Sequence, residues 1–331
     1  MMVKLKFIFT FVFLWLFMVL GADAMTGVNP DTRLFEPKRR TVIEEGTGMW
    51  CGYCPLGIIA MKRMREKYPD DFIGIAVHYD DALEVEGYSR ALGFNSFPIG
   101  LVNRKLQVPP MMLAPVDGKM DYSMSHGGFE TFFLQAQEQP TVADVEVSAV
   151  WSGRQLEIHA ETRFAVPFDD ADFRLAFVVV EDQLTGADFY QTNYLNGLTE
   201  YTLDGFAEMA YKIYPFTFDD VAIAVAGQVD GFEGSVPSVI EAGECYVFNY
   251  NMEVPRLSAP EKARVVVMLL DAHSGEVVNA NQCALTTTGV GALAPDVPKR
   301  SAMYDLGGRP VLGSFVPTLY IKDGKKILGR R

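Results

Sequence analysis

The spacing of apolar positions along the chain changes character near residue 142. Upstream, Thr41 to Glu45 reads as a strand and Leu56 to Tyr68 as a helix. The helix gathers Ala60, Met61, Met64 and Tyr68 on one face and leaves Lys62, Arg63 and Glu66 on others. Pro69 ends it. Phe72 to His78 is an unbroken apolar run of strand length, the pattern of a parallel strand covered on both faces. Together these three segments predict a βαβ unit. Further on, the pattern predicts a second helix over Leu83 to Leu92, a turn over Gly93 to Phe97 and a strand over Ile99 to Val102. Pro109 to Pro115 reads as irregular, and Phe129 to Gln139 as a closing helix before Pro140.

From Val142 the apolar period is two. Val145, Val147 and Ala149 alternate with polar residues, Ser152-Gly153 supplies a turn, and Leu156, Ile158, Ala160 and Thr162 alternate with Glu157, His159, Glu161 and Arg163. That is a β-hairpin pattern. More strands are expected at Arg174 to Val180, Val221 to Ala226, Cys245 to Met252, Arg264 to Leu270 and Glu276 to Asn281. About seven strands with no convincing helix predict an immunoglobulin-like β-sandwich. Cys245 and Cys283 flank strands and are candidates for a structural disulfide. Asp188 to Phe206 is long, aromatic and polar for a connection, and reads either as a binding loop or as a packed cover.

The sequence opens with Lys4 and Lys6, an apolar stretch from Phe7 to Leu20, and Ala22-Asp23-Ala24, which has the small-x-small form of a signal-peptidase site. A secretory signal peptide is therefore expected over residues 1–24, with export to the outer membrane, cell surface or periplasm of a Gram-negative bacterium. No cysteine follows the apolar run to serve as a lipoprotein attachment site. After Met25 nothing is long and apolar enough for a membrane span. The net charge of −13 argues against nucleic acid as a partner. The even number of cysteines suits an oxidising compartment.

The chemistry concentrates at Trp50-Cys51-Gly52-Tyr53-Cys54-Pro55, between the first strand and its helix. Cys51 would face the unpaired N–H groups at the positive end of the helix, which favours thiolate over thiol. Two intervening residues let Cys54 attack a mixed disulfide formed at Cys51. No second Cys or His pair follows at zinc spacing, and His78, His126, His159 and His273 are scattered, so neither a metal nor a cofactor is expected. Asp219-Asp220 lacks the spaced oxygen ligands of a calcium loop. The motif resembles a thioredoxin active site. That resemblance implies roles for Glu45, six residues before Cys51, as a buried acid with Glu44 as the alternative, and for Pro98 as a proline beside the disulfide.

A broader resemblance is carried by IEEGTGMWCGYCP, then AVHYDD, then FPIGLVNR. These segments resemble the thioredoxin-like domain of the 28-kDa outer-membrane protein family of Bacteroidetes, in which a β-sandwich follows. It implies thioredoxin-type roles for Cys51, Cys54, Trp50 and Pro98, and brings no established enzymatic activity. Gly46 departs from the family pattern, which favours a bulkier residue there. The end of the chain, MYDLGGRPV and LYIKDGKKILGRR, is similar to short sorting segments of type IX secretion.

The sequence thus predicts an α/β thioredoxin-like domain followed by an all-β immunoglobulin-like sandwich. The expected divisions are a signal peptide (1–24), a linker (25–39), the thioredoxin-like domain (40–140), the sandwich (141–285), a second linker (286–300) and a sorting-like β segment (301–331). The expected function is thiol-disulfide exchange with envelope protein thiols or disulfides through Cys51 and Cys54, with Trp50, Glu45 and Pro98 at the site. The alternative is an adhesin-like surface protein that binds ligands and keeps Cys51–Cys54 as a structural bridge. Nothing in the sequence fixes an oligomeric state.

Overall fold

Seven buried residues, Thr41–Thr47, form the central strand β1, and a further buried run, Phe72–His78, forms β2 parallel to it. Between them, helix α1 (Pro55–Lys67) opens on a proline at its first position and carries Arg65 and Lys67 in its last turn, where cations complement the helix dipole. The computed structural model describes residues 33–227 and 229–287, together with two strands, β17 (Leu319–Lys322) and β18 (Lys325–Leu328). The expected signal peptide, most of the N-terminal linker, and the second linker beyond Thr287 lie outside the described residues. So does the sorting-like segment apart from β17 and β18, which pair antiparallel. Described residues through Thr287 belong to one compact unit and β17–β18 to a second.

Around β1, the strands β3 (Ile99–Val102) and β4 (Leu106–Val108) continue the sheet antiparallel. On the other side, β2 does not end the sheet. It meets β12 (Val221–Ala226) at the single register pair Ala76–Val221, where the Ala76 N–H donates to the Asp220 carbonyl at 2.6 Å. Beyond β12 follow β9 (Phe173–Glu181), β14 (Ala263–Asp271) and β15 (Val277–Ala284), all antiparallel. The result is one eight-stranded mixed sheet in the order β15-β14-β9-β12-β2-β1-β3-β4.

This sheet corrects the expected fold class. An α/β thioredoxin-like domain followed by an all-β immunoglobulin-like sandwich requires two separate sheets with separate cores. Instead, strands from both sides of Pro140 share one sheet, and strands dominate, with only three α-helices among the described residues: α1, α2 (Tyr88–Ala91) and α3 (Phe129–Gln137). The physical reason is the edge of β2. Left free it would expose unpaired backbone groups, and β12 covers it.

The strands of the C-terminal half lie close to where the alternation places them, but they divide between two sheets. β7 (Ala143–Ser152) and β8 (Gln155–Phe164) form the predicted hairpin, extended by β13 (Cys245–Glu253) and β16 (Thr286–Thr287). Alternate residues of β9 face opposite ways. Leu175, Phe177 and Val179 pack against Val145, Leu156 and Ile158 of the second sheet, while Ala176, Val178 and Val180 share a core with Val42, Ile73 and Ile75. The end strand β15 also bonds the segment leading into β1 and the turn after β3, so the eight-stranded sheet curls. Asn279 on β15 accepts the Arg40 N–H through Oδ1 at 3.0 Å, and the Val277 N–H donates to the Asn103 carbonyl at 2.8 Å.

The helices α1 and α3 cover the remaining face near β1, packing Ile59, Met61, Met64, Phe129 and Phe133 together. Only Tyr88–Ala91 of the predicted 83–92 helix is helical, and the stretch expected to be irregular forms the hairpin β5 (Met112–Val116) and β6 (Lys119–Ser123). The Phe94 and Phe97 rings fill the space above Gly46, 3.0 to 3.2 Å from where a Cβ would stand.

Candidate functional site

The chain leaves β1 at Thr47 and turns twice before the helix begins. The Cys51 N–H donates to the Gly48 carbonyl at 3.0 Å and the Cys54 N–H to the Cys51 carbonyl at 3.3 Å. Cys54 then caps α1, its carbonyl accepting the Ile58 N–H at 3.1 Å. This winding brings the sulfurs into a disulfide, with Cα atoms 5.4 Å apart, at the positive end of the helix. Cys54 is wholly buried and Cys51 is 4 % exposed. Trp50 and Tyr53 are exposed on either side. The Trp50 indole donates to the Tyr79 carbonyl at 2.8 Å and packs edge-on against Phe97.

Beneath the first turn of α1 lies Glu45. Its carboxyl occupies the space a side chain at Gly57 would need, 2.1 Å from the ideal Cβ position to Oε1, and Pro98 stands 3.4 Å from the same point. The Phe97–Pro98 peptide is cis. Glu45, Cys54 and Pro98 therefore gather around one helix turn. Glu45 Oε1 is buried and makes no hydrogen bond. Burial pushes its pKa well above the ordinary carboxylate value; the Thr47 hydroxyl opposes this more weakly, and the Asp220 charge adds to it. Glu44 points to the other face of β1 and is committed elsewhere. It accepts from the Arg104 guanidinium at 2.8 and 2.9 Å and from the Tyr88 hydroxyl, all in the core.

His78, at the end of β2, is buried, with Nδ1 2.8 Å from Asp81 Oδ2. Asp81 also accepts the backbone N–H groups of Met49 and Leu83, each at 2.8 Å. Burial works against charge on Asp81, but the hydrogen bonds from His78 and these backbone groups outweigh it, so its pKa is lowered.

The segment Asp188–Phe206 is a cover, and it covers the cysteine motif. The Thr192 N–H donates to the Met49 carbonyl and the Tyr194 N–H to the Gly52 carbonyl, both at 2.8 Å. The buried Gln191 side chain donates to the Cys51 carbonyl at 2.9 Å. Downstream, Leu195, Leu203 and Phe206 pack into the core under α1. The strap is held by the short pair β10 (Gln191–Thr192) and β11 (Lys212–Ile213). The Tyr194 ring stacks on Tyr211 and meets Tyr53 edge-on. Cys51, Cys54, Glu45, Trp50 and Pro98, the residues expected at the site, lie around the start of α1; Gln191 and Tyr194 fall in the segment expected to be a binding loop or a cover, and Gly57 carried no expectation. A glycine inside a helical pattern was the available signal for the last.

Cys245 and Cys283 do not form a disulfide. Cys245, on β13, has its sulfur 3.9 Å from Glu161 Oε2 of β8, and Cys283 lies on β15 in the other sheet, its thiol pushed up to about 11 by burial. Among the described residues no cluster suited to a metal ion is present, and no helix is long and apolar enough to cross a membrane.

No family model and no curated protein matches the chain. Among solved structures, it is similar to HBP35 of Porphyromonas gingivalis, with a TM-score of 0.54 and 14 % identity over 88 % of this chain and 98 % of that one. A protein from Agrobacterium tumefaciens gives a TM-score of 0.41 at 15 % identity, covering 79 % of this chain and 99 % of that one. A domain of the outer membrane lipoprotein Omp28 from Porphyromonas gingivalis gives 0.25 at 10 % identity, covering 45 % and 92 %. The first likeness concerns fold alone, and the other two scores are too low to argue a shared fold.

Proposed function

We propose that the protein is exported and performs thiol-disulfide exchange at Cys51 and Cys54 with proteins of the cell envelope or surface. The observation that carries this reading is the cysteine pair at the N-terminus of α1 above a buried carboxyl, Glu45, that has no partner for Oε1. Buried unpaired carboxyls are costly and concentrate at functional sites. In the reducing direction, the Cys51 thiolate attacks one sulfur of a partner disulfide. A Cys51–partner bond forms, and the partner's other sulfur leaves as thiolate. Cys54 gives its proton to the Glu45 carboxylate and attacks Cys51 Sγ, closing the internal disulfide and releasing the partner's second sulfur. Two electrons pass to the partner. The same steps reversed oxidise a partner dithiol.

A second reading has one observation in its favour. The strap bonded across Met49, Cys51 and Gly52 leaves Cys51 almost wholly covered, as expected of a structural bridge in a surface binding protein. One experiment separates the two. The Cys51–Cys54 potential is measured in glutathione buffers, and Cys54→Ser is used to trap mixed disulfides, with Cys51→Ser as control. Exchange predicts a potential between about −270 and −120 mV and adducts that need Cys51. A potential below about −300 mV with no adducts makes the bridge structural.

A further inference from the structure

A cavity of about 70 Å³ lies beneath α1, lined by Glu45, Thr47, Ala76 and His78 from the sheet. Register explains their meeting. Glu45 stands opposite Ala76 and Thr47 opposite His78, and residues two apart on a strand share a face, so the four form a square in which Ala76 leaves the space open. The volume is enough for about two waters. Lys62 and Arg65 from α1, and Asp219 and Asp220 from the segment before β12, complete the charged lining. Asp220 is held by Arg65 at 2.6 Å and Arg264 at 2.5 Å, and Asp219 stands 3.6 Å from Arg65.

Three buried polar atoms among these side chains have no hydrogen-bond partner: Glu45 Oε1, Thr47 Oγ1 and His78 Nε2. The state of the imidazole follows from its other side. Asp81 already accepts two backbone N–H groups and is an ionised acceptor toward Nδ1. Nδ1 therefore carries the hydrogen, and in the neutral imidazole Nε2 presents a lone pair. An acid and a base thus lie on one face of adjacent strands, around a space that admits water.

We infer that His78 holds the site's proton: the proton that Cys54 passes to Glu45 moves through cavity water to His78 Nε2, leaving Glu45 ionised for the next cycle. This inference rests on the exchange reading above. The balance is simple. Cys54 loses one proton, Glu45 gains and then loses it, water relays it without net change, and His78 ends as an imidazolium facing the Asp81 carboxylate. No electron moves in these steps. His78 acts through Glu45 and never meets the partner.

The test uses His78→Asn in the full chain, since the Asn amide can replace Nδ1–H toward Asp81 but supplies nothing at Nε2. Closure of the reduced pair on oxidised glutathione is followed between about pH 5 and 9, the range that brackets imidazole titration. The relay predicts closure slowed about tenfold more than adduct formation at Cys51, the latter measured with and without His78→Asn in the Cys54→Ser background. It also predicts one ionisation fewer in the pH–rate profile. Equal slowing of both steps, or of neither, overturns it. In the oxidised protein, ¹³C NMR of the Glu45 carboxyl should show a two-step titration that becomes single in His78→Asn; a curve identical in both proteins overturns the relay. Should His78→Asn not fold, Glu45→Gln takes its place, and an unmoved His78 ¹⁵N titration is the overturning result. Absence of any glutathione adduct in Cys54→Ser would refute the exchange reading itself, while the NMR titrations still decide whether the two groups are coupled.

Discussion

An ideal Cβ on Gly57 would stand 2.1 Å from Glu45 Oε1 and 2.8 Å from its Cδ, closer than real atoms approach. Gly57→Ala is therefore expected to destabilise the protein by about 1–3 kcal/mol in urea unfolding, by overpacking. In a Glu45→Ala background the clash is gone, and the same change should stabilise by up to about 1 kcal/mol, the helix-propensity gain. An unchanged sign in the two backgrounds would refute the fit. Glu45 also shapes the pH dependence. Its folded pKa is raised from an ordinary value near 4.5. Its stabilising contribution is thus complete below that value and is lost as pH rises toward the folded pKa. Glu45→Gln removes the loss, so its stability relative to wild type should climb with pH above about 4.5, by at most about 1.4 kcal/mol per unit. Urea titrations across that range check it. At this scale the sequence was legible where spacing from a motif carries information, as for Glu45 and Pro98. It left Glu44 open as an alternative because only strand alternation, with Arg104 and Tyr88 waiting on the far face, separates two adjacent acids.

Among the elements, the strap is the one whose role sequence could not assign. Its bonds to Met49, Cys51 and Gly52 are largely backbone to backbone and span about 140 residues of chain, so no residue pattern announces them. Gln191→Ala removes the side-chain hydrogen bond from the strap to the Cys51 carbonyl. A stability loss of about 1–2 kcal/mol is expected from the broken buried hydrogen bond. Dithiothreitol should also reduce Cys51–Cys54 several-fold faster, as the cover opens more often. A reduction rate equal to wild type would mean that the strap does not govern access. The longer strands were legible from their apolar patterns, with ends within a few residues, but the hairpin β5–β6 was not, because Pro109, Pro110 and Pro115 read as an irregular stretch. The short helix at Tyr88–Ala91 was not, because the apolar positions over Leu83 to Leu92 suit a buried loop as well as a helix.

For the whole molecule, alternation determines which side chains are buried but not which strand takes which edge. The joint between β2 and β12 is one register pair, and the charged cluster beside it reinforces the seam. Arg264 on β14 bonds Asp182 at 2.8 Å, Asp220 at 2.5 Å and the Gly74 carbonyl of β2 at 3.1 Å. Arg264→Met leaves buried Asp220 with Arg65 alone and is expected to cost about 3–5 kcal/mol. Since one sheet crosses the seam, wild type should unfold in a single step, with tryptophan fluorescence and far-ultraviolet circular dichroism coinciding in urea. Two separated transitions would mean that the seam does not couple the halves.

A Cβ at Gly52 would sit 2.3 Å from the Tyr194 ring. The dipeptide between the cysteines and the strap above them are therefore heritable only as a pair. In any lineage descended from this chain, a side chain at position 52 requires the ring at position 194 to turn away or be lost.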